Sequence, residues 1–397
     1  MGEPSSETDP SPPLRVRRAV ATIGATQTIG YAGSFYLPAP LAGDMGPAVG
    51  ASPAFVFLVF SGALLVTAFA GPAVGRLIDR RGGRAPLAAA SVLFAVGGAA
   101  LGLAQDPLQL GLAWAVIGAA MCLGLYDAAF AGLVGWYGQD ARRAITGVTL
   151  IAGFASTIGW PLTAWLETQV GWRGACFAWA GANLLICLPL HLSLPKGRAV
   201  PGARQEGGES DAPAPERPLL TLVLLATAFA LIAGISSAVS AHLPAMLTAL
   251  GVGAAAALGA GALLGPAQVG ARLAEFALVR RVHPLVSARV AIGLLPLSVA
   301  VLLLAGPPAA AAFAILYGAG NGLYTIVRGT LPLALFGAAG FGARAGMINL
   351  PGRLIGAVSP FLLAMGLAAS PRLAVLGIGV CGLAAFAILL LLRRPRG

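Results

Sequence analysis

Charged residues are scarce in this sequence. Asp, Glu, Lys and Arg make up only 10% of its 397 residues, while 58% are hydrophobic; soluble domains carry about a quarter charged residues. Water therefore cannot be the solvent for most of this protein's surface. Acidic residues are the rarer kind, 14 against 25 basic ones, and the formal net charge is +11.

Cysteine and histidine are also rare, with four and three residues. The cysteines all lie in apolar segments and none forms a CxxC pair, which argues against disulfides and metal binding. The sequence shows no phosphate-binding loop, no cluster of metal ligands and no Ser/His/Asp set at one depth. We therefore expect no catalytic residues, no metal and no cofactor, and hence no enzyme.

Long apolar segments, by contrast, are plentiful. A helix needs about 20 mostly apolar residues to cross the hydrocarbon core of a membrane. The segments lack the period-two alternation of a barrel strand, so we expect helices, which satisfy their own backbone groups in lipid. The 55 glycines and 29 prolines are tolerated in such helices, where they allow close contacts and kinks. The sequence predicts an all-α membrane protein of twelve spans, near 19–42, 54–77, 86–105, 108–135, 144–167, 173–194, 219–248, 254–279, 285–305, 309–337, 345–368 and 372–392.

Three polar segments divide the chain. We expect residues 1–18 to be a disordered cytoplasmic N terminus and residues 393–397 a cytoplasmic tail. The stretch 195–218 is rich in Pro, Gly and charge and cannot build a core, so it is predicted to be a cytoplasmic linker. It separates an N-terminal half of six spans (19–194) from a C-terminal half of six (219–392).

The basic residues predict the orientation in the membrane. If both termini are cytoplasmic, the cytoplasmic segments hold most of the 25 lysines and arginines, whereas Arg173 and Arg372 alone face the other side. This bias predicts a multi-pass protein of a bacterial inner membrane with both termini in the cytoplasm. The net charge then lies in short loops that face membrane lipids, so we do not expect nucleic-acid binding.

The two halves resemble each other at a spacing of roughly 200 residues. Gly71-Pro72-Ala73 recurs as Gly265-Pro266-Ala267, and Gly124-Leu125-Tyr126 recurs as Gly322-Leu323-Tyr324. A parallel repeat of this kind predicts two pseudo-symmetric halves with a substrate site between them, near the middle of the membrane.

The loop after the second span, GRLIDRRGGR (75–84), resembles the signature loop of the major facilitator superfamily. The resemblance implies the twelve-helix fold of that superfamily and a gating role for Gly75, Asp79, Arg80, Gly82 and Arg84. The glycines would allow close helix approach, and the carboxylate would lie at a neighbouring helix N terminus, where the helix dipole favours an anion. Ordinary loop charge bias would explain the arginines but neither the aspartate nor the glycines.

Within that superfamily, the chain is similar to the monocarboxylate-porter and oxalate/formate-exchanger branch. Tyr137 followed by Arg142 and Arg143 matches the start of that branch's fifth span, and His242 with the Leu-Pro that follows it is also similar. An arginine of the eighth span binds substrate in that branch, and Arg272 takes its position. The resemblance implies a carboxylate substrate.

Three arginines, Arg272, Arg328 and Arg353, fall inside predicted spans of the C-terminal half, and Asp127 lies at similar depth in the other half. An arginine at mid-span costs about 2.5–3.5 kcal/mol on insertion scales, so it usually faces a cavity or a partner. A guanidinium binds a carboxylate through two hydrogen bonds, and Asp127 could accept a proton or pair with an arginine when no substrate is bound. We predict a substrate site with these four residues and Tyr126, Gln268, Asn321, Tyr324 and Asn349.

Structural alternatives exist for several of these residues. Arg272 lies three residues before Glu275 and could pair with it along one helix. Arg328 could pair with Asp127 for stability alone. The neutral polar side chains could simply join helices by hydrogen bonds.

These features favour a monomeric secondary transporter that moves a small organic anion by alternating access, with protons as a candidate coupling ion for symport. The alternative within transport is proton-driven efflux of drugs, against which the three arginines argue. A membrane-embedded sensor or scaffold is the alternative from another class, and this sequence shows no soluble domain to carry a signal.

Overall fold

The computed structural model describes residues 12–197, 215, 217–278 and 282–392, and the regular secondary structure of these residues is helical throughout. The N-terminal half contains α1 (Pro12–Ala32), α2 (Pro38–Ala48), α3 (Pro53–Arg81), α4 (Arg84–Leu103), α5 (Pro107–Gly124), α6 (Tyr126–Tyr137), α7 (Ala141–Ala152), α8 (Ala155–Ala182) and α9 (Leu188–Leu192). The C-terminal half contains α10 (Pro218–Ala249), α11 (Ala254–Leu278), α12 (Pro284–Ala305), α13 (Ala310–Phe336), α14 (Phe341–Ala369) and α15 (Pro371–Leu391).

These helices account for the twelve predicted spans, and the predicted all-α architecture is confirmed. All six spans of the C-terminal half are single helices, whereas four of the N-terminal half are broken. The first consists of α1 and α2, and the fourth of α5 and α6. The fifth consists of α7 and the part of α8 before a break at Gly171. The sixth consists of the rest of α8, a π-helical turn (Asn183–Cys187) and α9. Of the described residues, nine helical runs are long and apolar enough to cross a membrane. One of them, Pro107–Leu192, contains the fourth, fifth and sixth spans, and the first span is not among the nine.

The predicted ends of the chain need one correction. Helix α1 begins at Pro12, so residues 12–18, which we expected to be disordered, are helical. Proline is tolerated in the first turn of a helix, because its missing N–H has no helical partner there. Residues 1–11, the tail 393–397 and most of the predicted linker (198–214 and 216) lie outside the described residues, and the predictions for them stay untested.

A lipid-facing belt surrounds the bundle. Large apolar side chains are exposed along most of the helices; Leu304 and Leu185, for example, are 88% and 75% exposed. Soluble monomers rarely leave contiguous apolar patches of this extent in contact with water. The belt therefore agrees with a bundle that spans a membrane.

The two halves pack against each other at the end of the bundle where α3 ends and α7 and α14 begin. We call this end the basic face, because it carries Arg76, Arg80 and Arg84. One hydrophobic cluster crosses between the halves here, joining Ile78 and Phe130 to side chains that include Phe341. The contacts between α3 and α14, α6 and α14, and α7 with α11 and α13 connect the same end.

Candidate functional site

Asp127 lies at a break in the fourth span. Helix α5 ends at Gly124, Leu125 is extended (φ −85°, ψ −171°), and Asp127 follows in the first turn of α6. Gln27 donates a 2.6 Å hydrogen bond to the carbonyl of Gly124 and so satisfies one backbone group that the break frees. The partial positive charge of the α6 N terminus favours the Asp127 carboxylate at this place.

Two arginines from the other half converge on this carboxylate. Nη2 of Arg328 lies 2.5 Å from Oδ1 of Asp127, and Nη2 of Arg353 pairs with Oδ2. Nδ2 of Asn349 lies 3.4 Å from Oδ1 and adds a weak contact. Arg353 also donates through Nη1 to the backbone carbonyl of Thr67 in α3. One carboxylate is thus shared by two guanidinium groups at the junction of the halves, and it balances the charge of one of them.

Arg272 is 4% exposed, and its hydrogen bonds go to neutral groups. Nε lies 3.3 Å from the carbonyl of Gly322 and 3.2 Å from Oγ1 of Thr325, and Nη2 lies 3.4 Å from Oε1 of Gln268. The remaining nitrogen, Nη1, lies against Gly153, where the fifth span breaks, so closely that a Cβ there would overlap it. Arg272 therefore reaches from α11 into the N-terminal half.

The intrahelical pair between Arg272 and Glu275 that we considered does not form in the structure. Glu275 instead pairs with Arg142 of α7 at 3.4 Å and accepts 2.9 Å hydrogen bonds from Ser287 of α12. Residues spaced three apart on a helix can meet, but here the partner offered by the facing helix takes precedence. The result is a third ion pair between the halves, at the basic face.

A small cavity borders the arginine pair. Its volume is about 60 Å³ and its lining is Phe229, Ala233, Tyr324, Arg328, Asn349, Gly352 and Arg353. A water molecule occupies about 30 Å³ of liquid, and drug-sized ligands need about 300 Å³ or more. An organic substrate would therefore need the halves to separate here. A larger cavity of about 380 Å³, at the opposite end of the C-terminal half beside Arg372, is remote from this chemistry.

The predicted site residues divide into three groups. Arg328, Arg353, Asn349 and Tyr324 meet at the cavity, with Asp127 and Tyr126 adjacent. Arg272 and Gln268 lie together on α11. Asn321 instead accepts a 2.8 Å hydrogen bond from Ser236, which joins α13 to α10.

Sequence reasoning missed several members of this region: the Thr67 carbonyl, Tyr31 and Phe229. Tyr31 lies close enough to Arg328 to interact with it electrostatically. Tyr31 and Phe229 are separated in sequence by the same spacing as Tyr126 and Tyr324. The internal repeat therefore carried a signal that could have found both aromatic residues.

The signature loop joins α3 to the start of α14. The carboxylate of Asp79 accepts hydrogen bonds from the backbone N–H groups of Gly342 (3.0 Å) and Ala343 (2.9 Å), which is the position expected for an anion at a helix N terminus. Gly82 has φ +84° and its N–H bonds to Ile78, ending α3. Arg80 is exposed and Arg84 opens α4.

Close backbone contact between α3 and α14 accompanies this cap. A Cβ on Gly342 would lie 2.6 Å from the carbonyl oxygen of Gly75, and a Cβ on Gly346 would lie 2.7 Å from Cα of Pro72. Small residues four apart on each helix allow this approach, as in other membrane helix pairs. The gating role of these residues stays a prediction.

Comparison with known proteins identifies the family. The sequence model of the Major Facilitator Superfamily matches residues 24–360. The chain belongs to this superfamily. It is therefore a membrane transporter rather than an enzyme.

Solved structures of transporters share its fold. The human organic anion transporter MFSD10 (TETRAN) is 17% identical, with a TM-score of 0.74 over 96% of this chain and 100% of its own. A variant of the E. coli fucose:proton symporter FucP is 15% identical, with a TM-score of 0.71 over 94% of this chain and 97% of its own.

One sequence relative matches part of the chain. An uncharacterized 38 kDa protein in a 23S RNA operon of Thermoproteus tenax is 37% identical over 164 residues, which are 41% of this chain and 42% of that relative.

Proposed function

We propose that this transporter carries a small organic anion whose carboxylate binds Arg328 and Arg353 in place of Asp127. The observation that carries this proposal is the charge balance between the halves. Among the described residues, three arginines that lie inside the predicted spans of the C-terminal half reach the junction, and Asp127 is the carboxylate that two of them share. The third, Arg272, hydrogen-bonds to neutral acceptors.

Unused hydrogen-bond donors support the proposal. Nε of Arg328 and Nη1 of Arg272 are buried, and neither has a hydrogen-bond acceptor among the described residues. A buried donor without an acceptor costs about 1–3 kcal/mol, and more on a charged group. An anionic substrate would supply acceptors together with negative charge, whereas a neutral or cationic drug would supply no negative charge. The arrangement therefore favours organic-anion transport over drug efflux.

Asp127 gives this site a means of coupling to protons. While ionised, it occupies both arginines and ties α6 to α13 and α14. Protonation of Asp127 would remove its charge and release the guanidinium groups for the substrate anion. A proton and an anion would then be carried together, which is symport. Alternating access would follow as the contacts at the basic face open and those around the bound anion close.

Two similarities agree with an anionic substrate. MFSD10 is named as an organic anion transporter, although 17% identity establishes the fold alone. The resemblance to the monocarboxylate-porter and oxalate/formate-exchanger branch also implies a carboxylate substrate, with Arg272 of α11 in the position of that branch's substrate-binding arginine. We further propose that the protein works as a monomer in a bacterial inner membrane with both termini, and hence the basic face, in the cytoplasm.

The test is thermal unfolding of the purified transporter with acetate, benzoate or succinate, and with benzamide as a neutral comparison. Binding to the folded state raises the unfolding temperature. At least one anion should do so in the wild type, and Arg353→Lys should weaken its binding about ten- to a hundredfold, because an ammonium cannot form the planar two-bond contact. Arg289→Lys is the matched control, since Arg289 binds backbone carbonyls at the end of α15, such as Leu392 at 3.0 Å.

The Arg353→Lys variant could unfold at a lower temperature and still bind the anion as tightly as the wild type. This result would show that Arg353 only stabilises the helix bundle. Stabilisation by benzamide alone, or by none of the anions, would contradict the proposed substrate class.

A further inference from the structure

A pair of aromatic side chains lies beside Asp127 in the N-terminal half. The rings of Tyr31 (α1) and Tyr126 (α6) have centroids 4.8 Å apart and are tilted by 51°. Tyr126 also stacks on Phe130 at 5.1 Å. Both tyrosines lie close enough to Arg328 to interact with it electrostatically. These rings therefore form part of the surroundings of the arginine pair.

The C-terminal half presents a corresponding pair. Phe229 (α10) and Tyr324 (α13) are edge to face, with centroids 5.4 Å apart and planes at 88°. Both line the small cavity with Arg328 and Arg353. The sequence spacing of Tyr31 and Phe229 equals that of Tyr126 and Tyr324, so the two pairs occupy equivalent places in the repeat. The charged cluster thus lies between one aromatic pair from each half.

On the N-terminal side the aromatic surface continues away from the cluster. Tyr36 lies 6.1 Å from Tyr31, and Trp160 lies 5.5 Å from Tyr36 between ring centroids. Trp160 is 47% exposed. It lies seven residues beyond Gly153, which contacts Arg272. A row of aromatic rings therefore leads from an exposed position to the arginines.

We propose that the transported anion carries an aromatic ring, so that the substrate class is an aromatic carboxylate; this inference rests on the proposed function. The carboxylate binds the arginines, and the ring packs between the Tyr31–Tyr126 and Phe229–Tyr324 pairs when the halves separate enough to admit it. Aromatic rings favour offset or edge-to-face neighbours at centroid distances of about 4.5–7 Å, and both pairs already show such spacing. Aliphatic acids of the same charge lack this contact.

The experiment compares benzoate with cyclohexanecarboxylate, which has the same charge and a similar size but no aromatic ring. Isothermal titration of the purified wild type should show benzoate binding about two- to tenfold more tightly per aromatic pair engaged. Tyr31→Leu and Phe229→Leu should each reduce this preference while retaining cyclohexanecarboxylate binding. The matched control is Phe313→Leu, which removes a ring stacked on Tyr317 in the core of the C-terminal half and should leave the preference unchanged.

Conservative variants keep the test informative if a leucine variant does not fold. Tyr31→Phe and Phe229→Tyr retain the rings and should retain the preference for benzoate. Equal affinity for the two acids in the wild type, or a full benzoate preference in both leucine variants, would overturn the aromatic inference and leave organic-anion transport standing. Binding of neither acid would overturn the aromatic inference, and it would overturn the proposed function as well only if acetate and succinate also fail to bind. Binding of both acids that is insensitive to Arg353→Lys would overturn the proposed function itself.

Discussion

The contact between α3 and α14 can be disrupted by one methyl group. A Cβ on Gly346 would lie 2.7 Å from Cα and 2.8 Å from N of Pro72, and 2.9 Å from the carbonyl carbon of Gly71. All three atoms are backbone, so no side chain can rotate to make room. Gly346→Ala should therefore push the two helices apart at the basic face.

The size of the effect follows from that overlap. Overpacking a close contact costs about 1–3 kcal/mol. This cost would change the equilibrium between the closed and the separated basic face by about fivefold to a hundredfold. Alanine also gains up to about 1 kcal/mol of helix propensity over glycine. Gly356→Ala controls for that gain, because it lies on the same helix and its Cβ would lie 3.7 Å from its nearest neighbour, an ordinary contact.

Spin labels at position 81 in the N-terminal half and position 339 in the C-terminal half report the distance between the halves at the basic face. The exposed Cys381 is first replaced, so that it is not labelled. Gly346→Ala should shift the distance distribution toward longer values, while Gly356→Ala should match the unsubstituted protein. Identical distributions in the two alanine variants would refute the claim that this contact holds the basic face closed.

Three other outcomes follow from the same geometry. Asp79→Asn should slow transport more than it weakens substrate binding, because the α14 cap biases the access states rather than the site; wild-type flux would contradict its gating role. Glu275→Gln should also lengthen the spin-label distance, because it removes the buried charge that pairs with Arg142 across the halves; an unchanged distance would show that this ion pair does not hold the basic face closed. Thiol labelling of intact cells should protect a cysteine at position 210 and modify one at position 106, and the reverse pattern would invert the orientation.

The spans could be predicted from the sequence because length and hydropathy depend on local composition alone. The breaks within them could not. The interruption at Leu125 depends on Gln27, far away in sequence, which satisfies the carbonyl of Gly124. The break near Gly153 likewise packs against Arg272 of the other half. Such breaks are stabilised by tertiary contacts that a hydropathy pattern does not contain.

The site was partly predictable for a similar reason. Equal depth in the membrane brought Asp127, Arg328 and Arg353 together in the prediction, because buried charges seek partners. Spacing along one helix suggested Arg272 as the partner of Glu275. In the structure Glu275 pairs instead with Arg142 of a facing helix. The Thr67 carbonyl gave no signal, since every residue carries a carbonyl and only the packing of α3 against α14 brings this one to Arg353.

The central claim is that a substrate anion replaces Asp127 as the partner of Arg328 and Arg353. Titration of Asp127→Asn with benzoate tests it most directly, at a pH where benzoate is ionised, beside the wild type in the same detergent. Removing the internal carboxylate removes a competitor for both arginines, so the variant should bind benzoate about tenfold more tightly or better, one charge-assisted contact being worth about 1.5–3 kcal/mol. Unchanged or weaker binding in Asp127→Asn would contradict the exchange of one carboxylate for the other.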